Sequence, residues 1–453
     1  MLDVGRHPNI SLLAYCELEK VDGKAGDFTA IVRKKARYVE EDKCTGCGAC
    51  AEVCPTSVSD AYNEGHAERK AVYSWFAQGI PSTHAIDPDF CRVFNGKKCG
   101  ICAKKCEAGA INFDQKETIL EIPVGAVIVA TGYDVFDPAN MPEYRYAQLD
   151  NVVTAMEFER FLSASGPTEG HIERPSDRRT AKKIVELEKK AGKSAKVLAR
   201  FEKKHGVETS TVTAQSGTGS PTISGELEKD RAKWLDKAAA HNAVMADLET
   251  LKQKAKQFTT AKKLAFIQCV GSRDLRFYPF CSGYCCMHSI KEAIIAHEHD
   301  NDTRSVIFGM DIRAVGKGFE EYKIRGGITS NIAYKRSRVA EITRDADDNP
   351  VLIYEDTRTQ KVVKETFDLV VLATACAPVK GSEKTAAVLG IETDRYGFFK
   401  TEPANPLDTT REGIFVCGCA HSPMDIPESV AQASSAAARA VQAVLKHKAP
   451  KAS

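Results

Sequence analysis

Residues 44–55 read CTGCGACAEVCP, and this stretch decides how the segment around it folds. Its cysteines follow the spacing C-x2-C-x2-C-x3-C and are followed directly by Pro55. This run is typical of 4Fe–4S cluster ligands: three thiolates hold one cluster, and the fourth ligates a neighbouring cluster. The four residues are Cys44, Cys47, Cys50 and Cys54. The spacing therefore predicts a small module that is organised around two clusters.

A second cysteine run completes this pair of clusters. It has the spacing C-x7-C-x2-C-x3-C and carries Glu107 where proline is usual. Because each run lends its fourth cysteine to the other cluster, we expect one cluster on Cys44, Cys47, Cys50 and Cys106. We expect the second cluster on Cys91, Cys99, Cys102 and Cys54. Zinc knuckles also use C-x2-C pairs and are the alternative, although the spacing favours iron and sulfide.

The composition is that of an ordinary globular protein: of 453 residues, 43% are hydrophobic and 27% are charged. The net charge of +2 favours neither nucleic acid nor an anionic membrane as a partner. No apolar run approaches the ~20 residues of a membrane span, and the first residues lack a signal-peptide pattern. We expect a cytoplasmic location, where 16 reduced cysteines favour metal binding over disulfides.

Three strand ends outside this module suggest an α/β nucleotide-binding scaffold. The first strand, Ala126–Ala130, runs into an Ala-Thr-Gly turn, and a near copy lies at residues 368–378. The third strand, Ile414–Val416, meets a glycine turn, and a long Ala-rich helix starts near Pro427. Small residues at a strand end let a nucleotide approach the backbone, and a helix N-terminus favours an anionic group. Each signal is weak alone, because any α/β protein has such strand ends.

A third group of cysteines lies in residues 263–297. A buried strand, Leu264–Gln268, leads into a C-x11-C-x3-C-C pattern that opens an amphipathic helix. The members are Cys269, Cys281, Cys285 and Cys286. On spacing alone they are either an irregular cluster site or buried structural thiols. Of the remaining cysteines, Cys16 and Cys376 are expected to be apolar fillers.

These patterns together resemble the A-subunit family of heterodisulfide reductase, whose scaffold is similar to two-domain thioredoxin reductase. The resemblance rests on the ferredoxin insert, ATGYD, IQCVGSRD with its cysteines, and DIPESVAQAS, and it covers nearly the whole chain except residues 166–262. It implies that the third cysteine group binds an irregular 4Fe–4S cluster beside FAD, and that Lys291 lies near the flavin ring as the catalytic cation. The implied FAD contacts are Thr131, Gly132, Gly418, Cys419, Ile426, Pro427 and Ser429.

The chain departs from this family pattern in three ways. The G-x-G-x-x-G loop that cradles the FAD pyrophosphate is absent, so we expect FAD to be shared with a chain that carries the missing N-terminal half. A C-terminal ferredoxin domain is also absent. The third departure is an insertion at 166–262, predicted to form two antiparallel helices joined by a mobile Ser/Thr/Gly-rich link at 206–225. This arm either docks a partner or is a tolerated surface excursion.

The predicted seam of the arm repeats at 3- and 4-residue spacing. In the first helix it consists of Ile184, Leu187, Ala191, Ser194, Leu198 and Phe201. In the second helix it consists of Leu227, Trp234, Ala238, His241, Met245, Leu248 and Ala255. His241 is interpreted as a polar seam residue and not as a metal ligand.

The predicted fold class is α/β: a thioredoxin-reductase-like two-domain flavoprotein scaffold with an inserted α+β bacterial-type ferredoxin domain of two 4Fe–4S clusters and a helical-hairpin insertion. The predicted segments are 1–39 (hairpin, tail of the FAD-domain front half), 40–115 (ferredoxin domain), 116–165 (FAD-domain strand and linker), 166–262 (helical hairpin), 263–365 (second nucleotide-binding-like domain with the irregular cysteines) and 366–453 (C-terminal part of the FAD domain).

The resemblance implies an oxidoreductase component that relays, or bifurcates, electrons between FAD and 4Fe–4S clusters within a larger complex. The implied partners are other heterodisulfide reductase-like subunits, including a chain with the FAD phosphate loop, and a ferredoxin or a hydrogenase- or dehydrogenase-linked subunit, in a dimer of complexes. No nucleic acid partner and no transmembrane segment are expected. Two alternatives are a zinc-stabilised scaffold and a flavin-free iron–sulfur protein for wiring and assembly.

Overall fold

A computed structural model describes residues 2–76, 78–205, 225–258 and 260–448 of the chain. In these ranges the chain forms two sheet-containing bodies, a ferredoxin-like module and a helical hairpin. Within the same ranges, no helix is long and apolar enough to cross a membrane. Residues 206–224, nearly all of the link that the sequence predicts to be mobile, lie outside the described residues.

The first body combines residues from both ends of the described chain. Phe28 near the N-terminus packs in one core with Val129, Leu389 and Ile414. Its antiparallel sheet consists, in order, of strands Cys16–Lys24, Asp27–Lys34 and Thr118–Val124. Its four-stranded sheet consists, in order, of Thr401–Glu402, Asn405–Thr409, Ile414–Val416 and Val127–Val129. Its helical segments are Ser382–Leu389, the 3-10 turn Gly418–Ala420, and Ile426–Lys448.

The ferredoxin-like module is inserted between two neighbouring strands of the first body. Lys34, at the end of one strand, pairs with Thr118, at the start of the next. The module therefore leaves and re-enters the sheet at one point, which confirms the predicted insertion. Its elements are Ala49–Glu52, Ser57–Ser59, Ala61–Asn63, Glu68–Lys70, Val72–Tyr73, Ala85–Ile86 and Ile101–Lys105.

The predicted N-terminal hairpin needs one correction. Among the described residues, the segment before Cys16 contains a short helix, Leu2–Arg6, and no strand. The third strand of the sheet is Thr118–Val124, which comes from beyond the inserted module. The hairpin therefore completes its sheet with a distant part of the chain, which local sequence patterns do not reveal.

The second body is built on five parallel strands, of which the central ones are buried on both faces. Their spatial order is Val152–Thr154, Leu369–Thr374, Lys263–Val270, Arg304–Gly309 and Ile332–Arg336. Continuous apolar runs such as Leu369–Thr374 are typical of strands covered on both sides. The covering segments are the helices Ala155–Leu162, Cys285–His299 and Phe319–Thr329, the meander Val339–Arg344, Pro350–Asp356 and Lys361–Thr366, and the 3-10 turns Pro138–Asn140 and Pro142–Tyr144.

The strand pairing in this sheet differs from the domain boundaries that the sequence predicts. The sequence pattern places the strand Leu369–Thr374 in the C-terminal part of the first body, yet it lies between two strands of the second body. Residues 152–162, predicted as part of a linker, supply that sheet's edge strand and one covering helix. A buried run such as DLVVLAT fits either sheet by pattern alone, and only its pairing decides between them.

Two chain crossings connect the bodies and pair with each other. Tyr133–Val135 leads from the first body to the second, and Cys376–Pro378 leads back. They form a two-stranded antiparallel sheet with Cys376 opposite Val135. The turns that end strands of both bodies are therefore held close to one junction.

The insertion forms the predicted antiparallel hairpin of helices Pro175–His205 and Gly225–Ala255. The rings of Phe201 and Trp234 stack at 5.7 Å, and Ser194 Oγ lies 2.7 Å from His241 Nδ1, so His241 is a seam residue. One seam position is wrong: Val244 is buried whereas Met245 is 44% exposed. The predicted boundaries are also too wide, because Ile172 and Ala261 lie in the core of the second body. The side chain of Leu227 lies outside the described residues.

Gly271, directly after the strand Lys263–Val270, tests the packing at the junction. It has φ +80°, and a Cβ there would lie 2.3 Å from Phe136 Cδ1. We expect Gly271→Ala to lower the free energy of unfolding by about 2–4 kcal/mol, because overpacking adds to the backbone cost. In the control Gly381→Ala, φ is +84° with nothing within 4 Å, so only the backbone cost of about 1–2 kcal/mol is expected. Equal denaturation midpoints for the two variants would contradict this packing.

Candidate functional site

One cavity in the ferredoxin-like module gathers cysteines from both runs. It is lined by Cys54 of the first run together with Cys91, Cys99 and Cys102 of the second. The ligand set expected for the other cluster includes Cys50 and Cys44, whose thiols lie close enough to interact electrostatically. Cys54 of the first run therefore lies beside the cysteines of the second run.

The donor chemistry of this module fits cationic iron clusters. Cys50 and Cys102 lie in the short helices Ala49–Glu52 and Ile101–Lys105, and burial raises the pKa of each thiol to about 11. A buried thiolate is costly unless a positive charge offsets it, and metal binding supplies that charge while releasing the proton. The module's core packs around these cysteines, with Val72 and Ile86 fully buried beside them.

The third cysteine group lies where the central strand of the second body ends. Cys269 has φ 62°, a left-handed conformation that is uncommon for a residue other than glycine. Backbone strain of this kind clusters at functional sites, where the surrounding structure holds it in place. The next turn returns the chain to helix Cys285–His299, whose first two residues are the adjacent cysteines.

The four thiols of this group face one another. Cys285 interacts electrostatically with each of the other three, and its Sγ lies 3.8 Å from the Thr374 carbonyl oxygen. Burial raises the pKa of Cys285, and it raises the pKa of Cys286 to about 11. The Arg273 guanidinium lies beside Cys269 and opposes the increase that burial causes in that thiol's pKa. This set of donors also fits a cationic cluster.

The cysteine thiols do not converge on a single position, either in the ferredoxin-like module or in the third cysteine group. In the part of the chain that the structure describes, no three His, Cys, Asp or Glu side chains could hold a single metal ion. A 4Fe–4S cubane is wider than one ion, so its four thiolates surround a space instead of meeting at one position.

Asp274 anchors the turn between Cys269 and Cys281. Its carboxylate accepts hydrogen bonds from Arg276 at 2.9 Å and from Arg338 at 2.7 Å, and only 7% of the side chain is exposed. The hydrogen bonds from Arg276 hold the pKa of Asp274 well below its usual range. Arg276 also pairs with Glu143 at 2.9 Å, so the turn is fixed to two other segments of the second body.

A cleft of about 790 Å³ opens beside the third cysteine group. Its volume lies in the range of small-molecule and cofactor sites, and its lining is largely apolar. Five predicted site residues line it: Lys291, Cys419, Ile426, Pro427 and Ser429. Tyr133 and Thr374, from the crossings and the central sheet, form part of the same wall. Both bodies therefore contribute to the cleft.

The three remaining predicted contacts lie next to the cleft but do not line it. Val127–Val129 and Ile414–Val416 pair in parallel, so the turns after them, at Thr131–Gly132 and at Gly418, lie at one sheet edge. Gly132 precedes Tyr133 of the cleft wall. The backbone N–H of Gly418 donates to Gln432 Oε1 at 3.0 Å and is therefore already engaged.

The helix N-terminus at Ile426 is partly capped by its own chain. The Glu428 backbone N–H donates to Asp425 Oδ1 at 2.8 Å, and the Asp425 N–H donates to Glu428 Oε2 at 3.0 Å. This reciprocal capping satisfies donors that the sequence pattern left free for an anionic ligand. The helix start therefore contributes mainly side chains to the cleft.

Lys291 faces the cleft with a partner that the sequence did not predict. Its Nζ donates to Glu159 Oε2 at 2.6 Å, and both side chains are 42% exposed. Next to Lys291 in the same helix, Glu292 is fully buried beside His288, and burial raises the pKa of its carboxyl. Both carboxylates line the cleft.

Helix Ala155–Leu162 connects the cleft with the ferredoxin-like module. Met156 and Glu159 line the cleft, whereas Glu157 Oε1 lies 2.9 Å from His66 Nε2 of the module. Arg160 of the same helix donates to Asn63 Oδ1 at 3.1 Å. One eight-residue helix therefore contacts both candidate cofactor regions.

Sequence reasoning missed Cys376 as a site residue. Its side chain is fully buried, and its thiol lies beside Cys419 on the other body. The interaction between the two thiols raises the pKa of Cys376 and lowers the pKa of Cys419 to about 6. The ATAC motif after a buried strand was the available signal, but its partner is distant in sequence.

Comparisons with known proteins agree with these features. A 4Fe-4S binding domain model matches residues 37–58. The A-subunit of the H(2):CoB-CoM heterodisulfide,ferredoxin reductase of Methanothermobacter thermautotrophicus is 36% identical over 449 residues, 98% of this chain and 55% of that protein. The A-subunit of the ferredoxin:CoB-CoM heterodisulfide reductase of Methanosarcina acetivorans is 37% identical over 446 residues, 97% of this chain and 48% of that protein. A solved thioredoxin reductase of Lactococcus lactis matches with 14% identity and a TM-score of 0.35, covering 83% of this chain and 86% of that one.

The fold, the cysteine-lined module and the matched domain define an iron–sulfur protein on a two-body α/β scaffold. The chain is similar to A-subunits of heterodisulfide reductases along nearly its whole length, which confirms the predicted resemblance. It spans about half the length of the curated relatives that it matches, 55% and 48% in these two cases.

The anchoring role of Asp274 predicts a pH-dependent stability. At pH 7 we expect Asp274→Asn to lower the free energy of unfolding by roughly 1–3 kcal/mol. Because the folded-state pKa of Asp274 lies below its ordinary value, the carboxylate's contribution is complete above about pH 4 and declines as the pH falls further. Urea midpoints of wild type and variant should therefore differ most at pH 7, and the difference should become smaller as the pH is lowered to 3. The control Asp348→Asn removes a carboxylate from an exposed ion pair, so its urea midpoint should differ little from that of wild type at either pH. If the midpoint of Asp274→Asn stays below that of wild type by the same amount at pH 7 and pH 3, the assignment is contradicted.

Proposed function

We propose that this chain is an electron-transfer component of an oxidoreductase complex related to heterodisulfide reductase, relaying electrons between FAD and 4Fe–4S clusters. The observation that carries the proposal is helix Ala155–Leu162, which contacts both the cysteine-lined module and the cleft. A relay needs its redox centres close together in a rigid frame. Iron–sulfur centres held by thiolates supply one-electron steps at low potential.

Three clusters are proposed, each on four thiolates. The first uses Cys44, Cys47, Cys50 and Cys106. The second uses Cys91, Cys99, Cys102 and Cys54, the set that lines one cavity. The third uses Cys269, Cys281, Cys285 and Cys286, whose thiols interact electrostatically.

The cleft is the proposed flavin site. FAD would supply the two-electron chemistry there, held by Cys419, Ile426, Pro427 and Ser429 in the cleft wall and by Thr131, Gly132 and Gly418 at the neighbouring sheet edge. The pyrophosphate loop G-x-G-x-x-G does not occur in these 453 residues. The proposal therefore includes a further polypeptide segment that carries this loop, within a cytoplasmic complex of heterodisulfide reductase-like subunits.

The chain's own residues prepare this cleft in two ways. Apolar side chains such as Met156, Met287 and Val430 limit water at the flavin ring. Lys291 supplies a positive charge that favours an anionic reduced flavin, and Glu159 moderates it through their ion pair.

Iron analysis of double variants tests the exchange of fourth ligands. We expect Cys54→Ser to remove about four iron atoms per chain after anaerobic purification. Adding Cys99→Ser should remove no further iron, because both residues serve the same cluster. Adding Cys47→Ser instead should remove about four more. The opposite pattern would contradict the exchange, and zinc without iron or labile sulfide would support the zinc scaffold.

Opposite shifts in flavin potential test the role assigned to Lys291. In the complex with the loop-bearing polypeptide, we expect Lys291→Gln to lower the two-electron midpoint potential of FAD. Glu159→Gln should raise it, because Lys291 then loses its counter-charge. A shift of about 30 mV corresponds to a tenfold change in equilibrium for two electrons. Unchanged potentials would contradict the assignment, and a complex that never retains FAD would favour the flavin-free wiring protein.

A further inference from the structure

The junction of the two bodies holds a pair of cysteines to which the proposed relay assigns no redox step. Cys376 lies on the returning crossing, Cys376–Pro378, and Cys419 lies in the 3-10 turn Gly418–Ala420. Their thiols lie beside each other and interact. Neither belongs to the twelve cysteines proposed as cluster ligands.

The two thiols differ in their access to the cleft. Cys376 is fully buried, whereas Cys419 lines the cleft wall. The Cys419 thiol donates to the Met424 carbonyl oxygen at 3.4 Å, and the Cys376 thiol lies beside the Cys419 sulfur. A molecule in the cleft can therefore contact the Cys419 sulfur, whereas the Cys376 sulfur is buried next to it.

Neighbouring contacts hold Cys376 in place. Its backbone N–H donates to Ser282 Oγ at 2.9 Å, and Ser282 also hydrogen-bonds the thiol of Cys285. Cys376 itself pairs with Val135 across the two-stranded sheet. The dithiol therefore lies between the cleft and the third cysteine group, where a two-electron couple can exchange with the flavin.

The geometry points to Cys376 and Cys419 as a redox-active dithiol that forms a reversible disulfide beside the flavin. Oxidation joins the two Sγ atoms and releases two electrons and two protons, which pass to the oxidised flavin as a two-electron acceptor. Reduction breaks the same bond with two electrons from the reduced flavin and returns two protons to the sulfurs. The choice of flavin as acceptor rests on the proposed function, whereas disulfide formation does not.

Peptide mapping of the full chain tests the disulfide without flavin. The anaerobic chain is equilibrated with oxidised and reduced glutathione at several ratios, alkylated and digested with trypsin. We expect peptide 365–380, which contains Cys376, to become linked to peptide 412–439, and dithiothreitol to reverse the link. The linked peptides should persist in Cys417→Ser, the matched control for the other cysteine in 412–439, and disappear in Cys376→Ser and Cys419→Ser.

Two results would overturn this assignment. One is separate alkylation of both residues at the oxidising end of the titration, with the linked peptides absent. The other is loss of about four iron atoms in Cys376→Ser, which would make Cys376 a cluster ligand. In the FAD-containing complex, reductive titration should consume two electrons more per chain for wild type than for Cys376→Ser. If wild type and Cys376→Ser consume the same number of electrons in the complex, although the disulfide forms in the isolated chain, the proposed exchange with flavin is contradicted.

Discussion

The parallel pairing of strands determines where the candidate site lies, because neighbouring parallel strands end at the same edge of a sheet. In the first body, Val127–Val129 and Ile414–Val416 run side by side, and in the second body Lys263–Val270 and Leu369–Thr374 do the same. The two crossings then pair with each other, so both edges face one junction. The cleft and the third cysteine group lie at that junction.

Helix Ala155–Leu162 extends this arrangement to the ferredoxin-like module. Its N-terminus is fixed by a capping box between Thr154 and Glu157, and Glu157 also contacts His66. Phe158 and Phe161 are buried in the core of the second body. Because one short, well-capped helix contacts both regions, the distance between the module and the cleft is set by core packing. A flexible linker would leave that distance variable.

Local patterns predicted the parts of the chain whose chemistry requires a fixed spacing. The cysteine runs, the strand–turn–helix at Ile414 and the helix beginning at Cys285 all follow from short motifs. The sheet that contains Leu369–Thr374 could not be predicted from a short motif, because a fully apolar strand carries no information about its neighbours. The same limit explains why Cys376 was predicted to be an apolar filler: its partner Cys419 lies on the other body. In the hairpin, the drift of a helix against a strict repeat moved the seam from Met245 to Val244.

The third cluster is the most direct test, because its cysteines lie next to both the cleft and the proposed dithiol. Anaerobic crystals of the iron-loaded protein, measured above and below the iron absorption edge, would locate iron through anomalous differences. The account predicts three compact iron groups, one of them within bonding distance of Cys269, Cys281, Cys285 and Cys286. Iron confined to the ferredoxin-like module, with these four sulfurs free of metal, would contradict it.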